Sequence, residues 1–105
     1  WITMCDVVGN PNDLHVTGTI DDEVFTKDHT GNYRFSVETC IAEASRYFTL
    51  EPGDMISFGT TGKGVGRFPR GHKSLLLGEI IGVVGIEIEP LGRLANPVRH
   101  QKGGA

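Results

Sequence analysis

Apolar and polar positions alternate along residues 14–20, with Leu14, Val16 and Ile20 set against His15, Thr17 and Thr19. A period of two with β-branched residues predicts a half-buried strand. Asp21-Asp22 then supplies turn residues, and residues 23–26 return as the second arm of a hairpin, followed by a polar, loop-like stretch over 27–32. The pattern changes after Ser36. Val37, Cys40, Ile41, Ala44 and Phe48 recur at helical spacing while Glu38, Glu43 and Arg46 fall elsewhere, which predicts an amphipathic helix. Ser36 suits its N-cap, and Glu38 sits in the first turn, where the positive end of the helix favours a carboxylate.

Before these elements lie a short apolar run, 5–8, and a turn cluster, Gly9-Asn10-Pro11-Asn12-Asp13. After them, Pro52-Gly53-Asp54 marks a sharp turn, and the apolar residues 55–58 predict a short buried strand. A glycine-rich loop spans 59–66. Residues 78–89 are β-branched and interrupted by glycine, which fits one long bent strand or a tight hairpin. Pro90-Leu91-Gly92 turns the chain again before a last edge strand over 93–98. The expected fold is mainly β with one helix, a domain over 1–98 and a polar tail over 99–105.

At 105 residues the chain has room for one core. With 38% hydrophobic and 22% charged residues it resembles neither a disordered nor a membrane chain. Its longest apolar stretch, 80–88, is broken by Gly82, Gly85 and Glu87 and falls far short of the ~20 residues a spanning helix needs. Net charge is -3 and the basic residues are scattered, so the stripe of a nucleic-acid binder is missing. Cys5 and Cys40 are too few for a disulfide framework, and no secretory signal opens the chain. A soluble, cytoplasmic protein is expected. Trp1 in first place, with 15 glycines in so short a chain, points to a piece of something larger.

Candidate chemistry is sparse. The loop Gly59-Thr60-Thr61-Gly62-Lys63-Gly64-Val65-Gly66 leaves backbone N–H groups free to approach a ligand and adds two hydroxyls. It is not a P-loop, because Gly64 rather than Ser or Thr follows Lys63. A surface loop and a ligand loop both remain open on these residues. The cluster Arg67, Arg70, His72 and Lys73 suits a solvated loop at least as well as an anion site. Glu87 and Glu89 share a strand face, but a third acidic ligand is missing nearby, and a solvated face is the commoner origin of such a pair. Asp21-Asp22-Glu23 reads as a charged turn. His15, His29, His72 and His100 share no metal-ligand spacing, and no serine stands in a nucleophile elbow, so no catalytic residue is assigned.

Taken in order, several stretches resemble the fumarylacetoacetate hydrolase family. The family runs leucine, an acidic residue, Pro-Gly-Asp, an apolar pair, Gly-Thr and a glycine-rich loop ending Gly-Val-Gly. Here that is Leu50-Glu51-Pro52-Gly53-Asp54-Met55-Ile56-Ser57-Phe58-Gly59-Thr60, closing with Gly64-Val65-Gly66. Later elements match Glu87-Ile88-Glu89, Gly92 and Leu94-Ala95-Asn96-Pro97-Val98. Upstream, Trp1-Ile2-Thr3 resembles the run after the family's Gly-Pro, and Phe35-Ser36-Val37 opens the expected helix. The chain departs at Thr61, where the family has Pro, in a loop one residue longer, and in a longer stretch from Gly78-Glu79 to Glu87.

The resemblance implies the C-terminal portion of a mixed β-roll fold, a homodimer, and a missing N-terminal portion of the same domain. It implies an enzyme, active in settings such as aromatic catabolism, on 2-oxo or 1,3-diketo acids. Hydrolysis of a C–C bond in an acylpyruvate-type substrate comes first; decarboxylase, isomerase or tautomerase activity stays open. Mg2+ or Mn2+ would stabilise the enolate, with its ligands upstream of this chain, so the chain alone is expected to be inactive. Carried over residue by residue are Thr60, whose counterpart binds the substrate carboxylate, and Gly59, which lets the backbone come close. Glu87 and Glu89 align with a structural strand rather than with metal ligands. The rivals are a non-catalytic binding or assembly subunit and a free-standing β domain binding an anion through 59–66.

Overall fold

A computed structural model describes residues 2–101, apart from the Leu77 side chain. Two antiparallel hairpins share one sheet. β1 (His15–Ile20) and β2 (Glu23–His29) form the first hairpin, and β3 (Gly82–Ile88) and β4 (Gly92–Val98) the second. β3 pairs antiparallel with β1, giving the order β2-β1-β3-β4. The first turn is the Asp21-Asp22 pair, with φ of 48° and 69°, the left-handed pair that a two-residue hairpin requires. Asp21 also joins the hairpins: its N–H donates to Val83 O at 2.9 Å and its carboxylate accepts from Val83 N–H at 2.8 Å.

The register places Val16 and Gly18 opposite Ile88 and Ile86 on one side and Asp28 and Thr26 on the other. These side chains therefore share one face of the sheet. A bulge after Gly18 inserts Phe25 into β2, so that Phe25 and Thr26 both cover the bare Cα of Gly18. Phe25 and Thr26 are 3% exposed, and Phe68 meets the Phe25 ring edge-on at 6.3 Å. With Leu14, Val16 and Ile80 these are the buried core.

The helix forms where its cap predicts. α2 (Val37–Ser45) starts at Ser36, whose Oγ accepts from Thr39 N–H at 3.1 Å. Asn12, in the turn before β1, accepts from Val37 N–H at 2.9 Å and donates to Glu38 at 2.8 Å, tying that turn to the helix start. The helix ends before Phe48, and its apolar face is left open, with Ile41 43% and Phe48 70% exposed. The early apolar run makes a single helical turn, α1 (Cys5–Val8).

Three expectations are corrected. β2 runs on through Lys27, Asp28 and His29, where polarity suggested a loop. Residues 55–58 form no strand, and Met55 is 95% exposed, because no neighbouring strand among the described residues offers a ladder. Part of 78–89 is a short 3-10 turn (Leu77–Glu79), so only Gly82–Ile88 is strand. Of the tail, residues 99–101 lack regular structure and 102–105 lie outside the described residues, as does Trp1. No helix among the described residues is long and apolar enough to cross a membrane.

The radius of gyration is 16.4 Å, against about 13 Å for a compact domain of this length. Ile81 and Ile2 join Met55 among the widely exposed apolar residues outside the strands and helices, and Leu94 on the sheet and Ile41 on the helix are exposed as well. The tight spot is the bulge. A Cβ at Gly18 would stand 2.6 Å from Thr26 Cγ2 and 2.7 Å from Phe25 Cζ. Gly18→Ala is expected to cost about 1–3 kcal/mol by overpacking, read as a lower urea midpoint; a shift below about 0.5 kcal/mol would mean that the bulge yields freely.

Candidate functional site

The free edge of β2 is covered by the glycine-rich loop. Lys27 N–H donates to Lys63 O at 3.2 Å, Val65 N–H donates to Phe25 O at 3.4 Å, and Thr26 bridges to Gly64. Thr26 adds its hydroxyl to Lys63 O at 2.7 Å. Below them the Asp28 carboxylate accepts from the N–H groups of Gly62 and Lys63, both at 3.0 Å. It also accepts from His29 N–H at 2.7 Å and Asn32 Nδ2 at 2.8 Å. Partial burial pushes the Asp28 pKa up, but the Asn32 bond and the three backbone donors outweigh it and hold the group at about 2. The loop is thus fastened from Gly62 onward.

Gly59 and Thr60 lie on the unfastened side. Gly59 has φ +84° and open space where a Cβ would be, so a ligand meets no side chain there. Tyr33 holds it by donating its hydroxyl to Gly59 O at 3.2 Å. Burial, then the Asp28 charge, raises the Tyr33 pKa, which keeps that hydroxyl a donor. Thr60 is exposed, and its Oγ1 donates to Thr61 O at 3.0 Å. Two cavities meet at Thr60 and His72. One, of about 220 Å³, reaches the sheet face at Val16, Ile86 and Ile88. The other, of about 440 Å³, is lined by Thr60, Gly62, Arg70, His72 and Lys73.

The basic cluster is therefore divided. Arg67 stays outside the cavity, paired with Glu23 at 2.7 and 2.9 Å and lying 4.4 Å over the Phe68 ring. Its hydrogen bond lowers the Glu23 pKa and in turn raises that of Arg67. Arg70, His72 and Lys73 are brought to Thr60 by a 3-10 turn, Gly71–Ser74. The buried Gly71, φ +59°, backs directly onto the Gly62 carbonyl, where any Cβ would collide. Sequence reading missed Asp28 and Tyr33, which hold the loop; their partners lie 34 and 26 residues away, and no local spacing shows that.

The other candidates stay apart. His29 has both ring nitrogens engaged, Nδ1 accepting from Gly31 N–H and Nε2 donating to Asp13, each at 2.8 Å, so neither is free to act as a base. His15 meets its ring at 4.7 Å, and His100 donates to Ile80 O at 2.6 Å. Asp21 and Asp22 form the hairpin turn, and Asp22 meets Arg93 at 3.4 Å. Glu87 sits opposite Thr17 and Arg93, on the sheet face away from the cavities, and Glu89 lies beyond the end of β3. No three His, Cys, Asp or Glu among the described residues are grouped as metal ligands would be. The residues present do not make a divalent-metal site.

A family model for the C-terminal part of fumarylacetoacetate hydrolase matches residues 1–99. The chain belongs to the fumarylacetoacetate hydrolase family. Its relatives include an oxaloacetate tautomerase, named as mitochondrial, of Xenopus laevis, 36% identical over 93 residues, which are 89% of this chain and 28% of that protein. A bifunctional isomerase/decarboxylase of 4-hydroxyphenylacetate degradation from Salmonella dublin is 31% identical over 93% of this chain and 20% of its own length. A maleylpyruvate hydrolase of Aquipseudomonas alcaligenes is 33% identical over 84% of this chain and 30% of its own. The chain thus spans less than a third of each of these enzymes, and the antiparallel sheet with its helix fits the C-terminal part of the fumarylacetoacetate hydrolase fold.

The Asp28 clamp has a defined pH signature. Its folded-state pKa, about 2, lies below the ordinary 3.8, so its contribution is complete above 3.8 and disappears as pH falls through 2. The Gly62 and Lys63 amide resonances are expected to titrate with a midpoint near 2. Asp28→Ala should abolish that step; a midpoint near the ordinary carboxylate value would show that the clamp does not hold in solution.

Proposed function

We propose that this chain is the substrate-carboxylate-binding, C-terminal portion of a divalent-metal-dependent enzyme acting on 2-oxo or 1,3-diketo acids. Hydrolysis of a C–C bond in an acylpyruvate-type substrate is the first assignment. The observation that carries it is Thr60, presented at the meeting of two cavities by a loop fastened to the sheet through Asp28. A carboxylate at Thr60 would take over the hydroxyl that now donates to Thr61 O, with the open flank of Gly59 beside it. Thr60 faces the apolar floor of Val16, Ile86 and Ile88 on one side and the cavity of Arg70, His72 and Lys73 on the other.

The names of the relatives support this substrate class. Oxaloacetate is a 2-oxo acid and maleylpyruvate an acylpyruvate. Hydrolysis, decarboxylation and tautomerisation of such acids share an enolate, and each needs the carboxylate held in a fixed orientation. That holding is the part assigned to Thr60 and Gly59. Mg2+ or Mn2+, which supplies Lewis acidity when bound, would be held by residues outside this chain.

Thr60→Val in the intact enzyme removes one hydrogen bond to a charged group, worth roughly 1.5–3 kcal/mol. Catalytic efficiency on an acylpyruvate should fall about 10- to 100-fold with the fold unchanged by circular dichroism. Unaltered kinetics would take Thr60 out of the site.

Assembly belongs to the same proposal. The exposed apolar residues of this portion, Ile81 and Leu94 among them, exceed what α2 covers, and a homodimer of the intact protein would bury them. Sedimentation velocity at micromolar concentration should show a dimer, and a monomer there would count against it.

A further inference from the structure

The larger cavity holds more positive charge than one carboxylate needs. It is lined by Thr60, Gly62, Arg70, His72 and Lys73, and no acidic residue contributes to its wall. Arg70 and Lys73 are the two basic side chains that line it beside His72. Neither side chain pairs with an acid among the described residues. Arg67, only three positions before Arg70, is by contrast fully engaged by Glu23 and Phe68. One run of sequence thus supplies a structural arginine outside the cavity and two unneutralised cations inside it.

The cations are set by backbone packing. Gly71 N–H donates to Phe68 O at 3.0 Å, Lys73 N–H to Arg70 O at 3.2 Å, and Arg70 N–H to Ser74 Oγ at 2.9 Å. Gly64 and Gly71 bring the two loop segments back to back, since a Cβ on Gly64 would collide with Phe68 O and one on Gly71 with Gly62 O. At about 440 Å³ the space exceeds that of a lone carboxylate at Thr60 and falls within the range of small-ligand sites.

We propose that Arg70 and Lys73 receive a second carboxylate, at the far end of the substrate, so that the enzyme selects dicarboxylic over monocarboxylic 2-oxo acids. This rests on the assignment of Thr60 to the first carboxylate. The planar guanidinium of Arg70 offers two parallel N–H donors to the distal group, and Lys73 adds a point charge. A substrate of charge -2 leaves the cavity neutral, whereas a substrate ending in a methyl group leaves both cations without an anion. His72 separates the cavity from the apolar one leading to Ile86, its ring packed against Gly62.

Two probes with the same head and length separate these demands. 2-Oxoglutarate ends in a carboxylate and 2-oxovalerate in a methyl group. Calorimetry on the intact protein should show 2-oxoglutarate binding at least about 10-fold tighter, a preference that shrinks as salt is raised. The double variant R70Q/K73Q should bring the two affinities within about twofold while leaving 2-oxovalerate unchanged; both side chains are exposed, so the fold should tolerate the change. R67Q should keep the preference. Equal wild-type affinities, or an equal loss for both probes in R70Q/K73Q, overturns the proposal. Loss of preference in R70Q/K73Q with Thr60→Val silent toward both probes supports the cation pair and sinks the Thr60 assignment instead.

Discussion

The Asp28 carboxylate accepts hydrogen bonds from two amides of the glycine-rich loop while its own backbone belongs to a strand of the sheet. Ordering a glycine-rich segment costs about 1–2 kcal/mol per residue, the more so because glycine has most freedom to lose. A charged acceptor offsets that cost better than a neutral one, and Thr26 and the β2 edge add to it. Everything placed around Thr60 follows. Gly62 is fixed, Gly71 packs on its carbonyl, and Arg70 to Lys73 arrive with it.

Away from that clamp the molecule is loosely knit. Among the described residues five apolar side chains are buried, Leu14, Val16, Phe25, Phe68 and Ile80. Helix α2 hangs on Asn12 and its own cap, with its apolar face unfilled. The same economy explains why 55–58 stays without regular structure and exposed: a strand is stable only against a neighbour. Precision is concentrated where the substrate is proposed to sit, and the remaining apolar surface stays exposed.

Much of the fold was readable from local chemistry. Alternation marked β1, Ser36 marked the start of α2, and the Asp21-Asp22 pair marked the first hairpin. The far end of β2 was not readable, because Lys27, Asp28 and His29 look like loop residues. They are polar because this edge binds another segment's backbone rather than packing into a core. The apolar run 55–58 misled in the opposite sense, since a hydrophobic pattern says nothing of whether a partner strand is at hand. Thr60 and Gly59 came from family resemblance, whereas the division of the basic cluster needed three dimensions. Only there does Glu23 meet Arg67 across 44 residues.

The clamp takes hold at Gly62, one residue beyond Thr61, and this divides the loop into halves with different freedoms. From Gly62 onward, a change of length would break pairing with β2 and drag the fold with it. Before Gly62, among the described residues, the half from Gly59 to Thr61 is fastened to the rest of the fold by one tyrosine hydroxyl and can be lengthened or reshaped at little cost. Thr61 stands at this divide. A scaffold built this way separates what must stay from what can drift, so new substrate preferences can be explored at the half proposed to face the ligand without putting the sheet at risk.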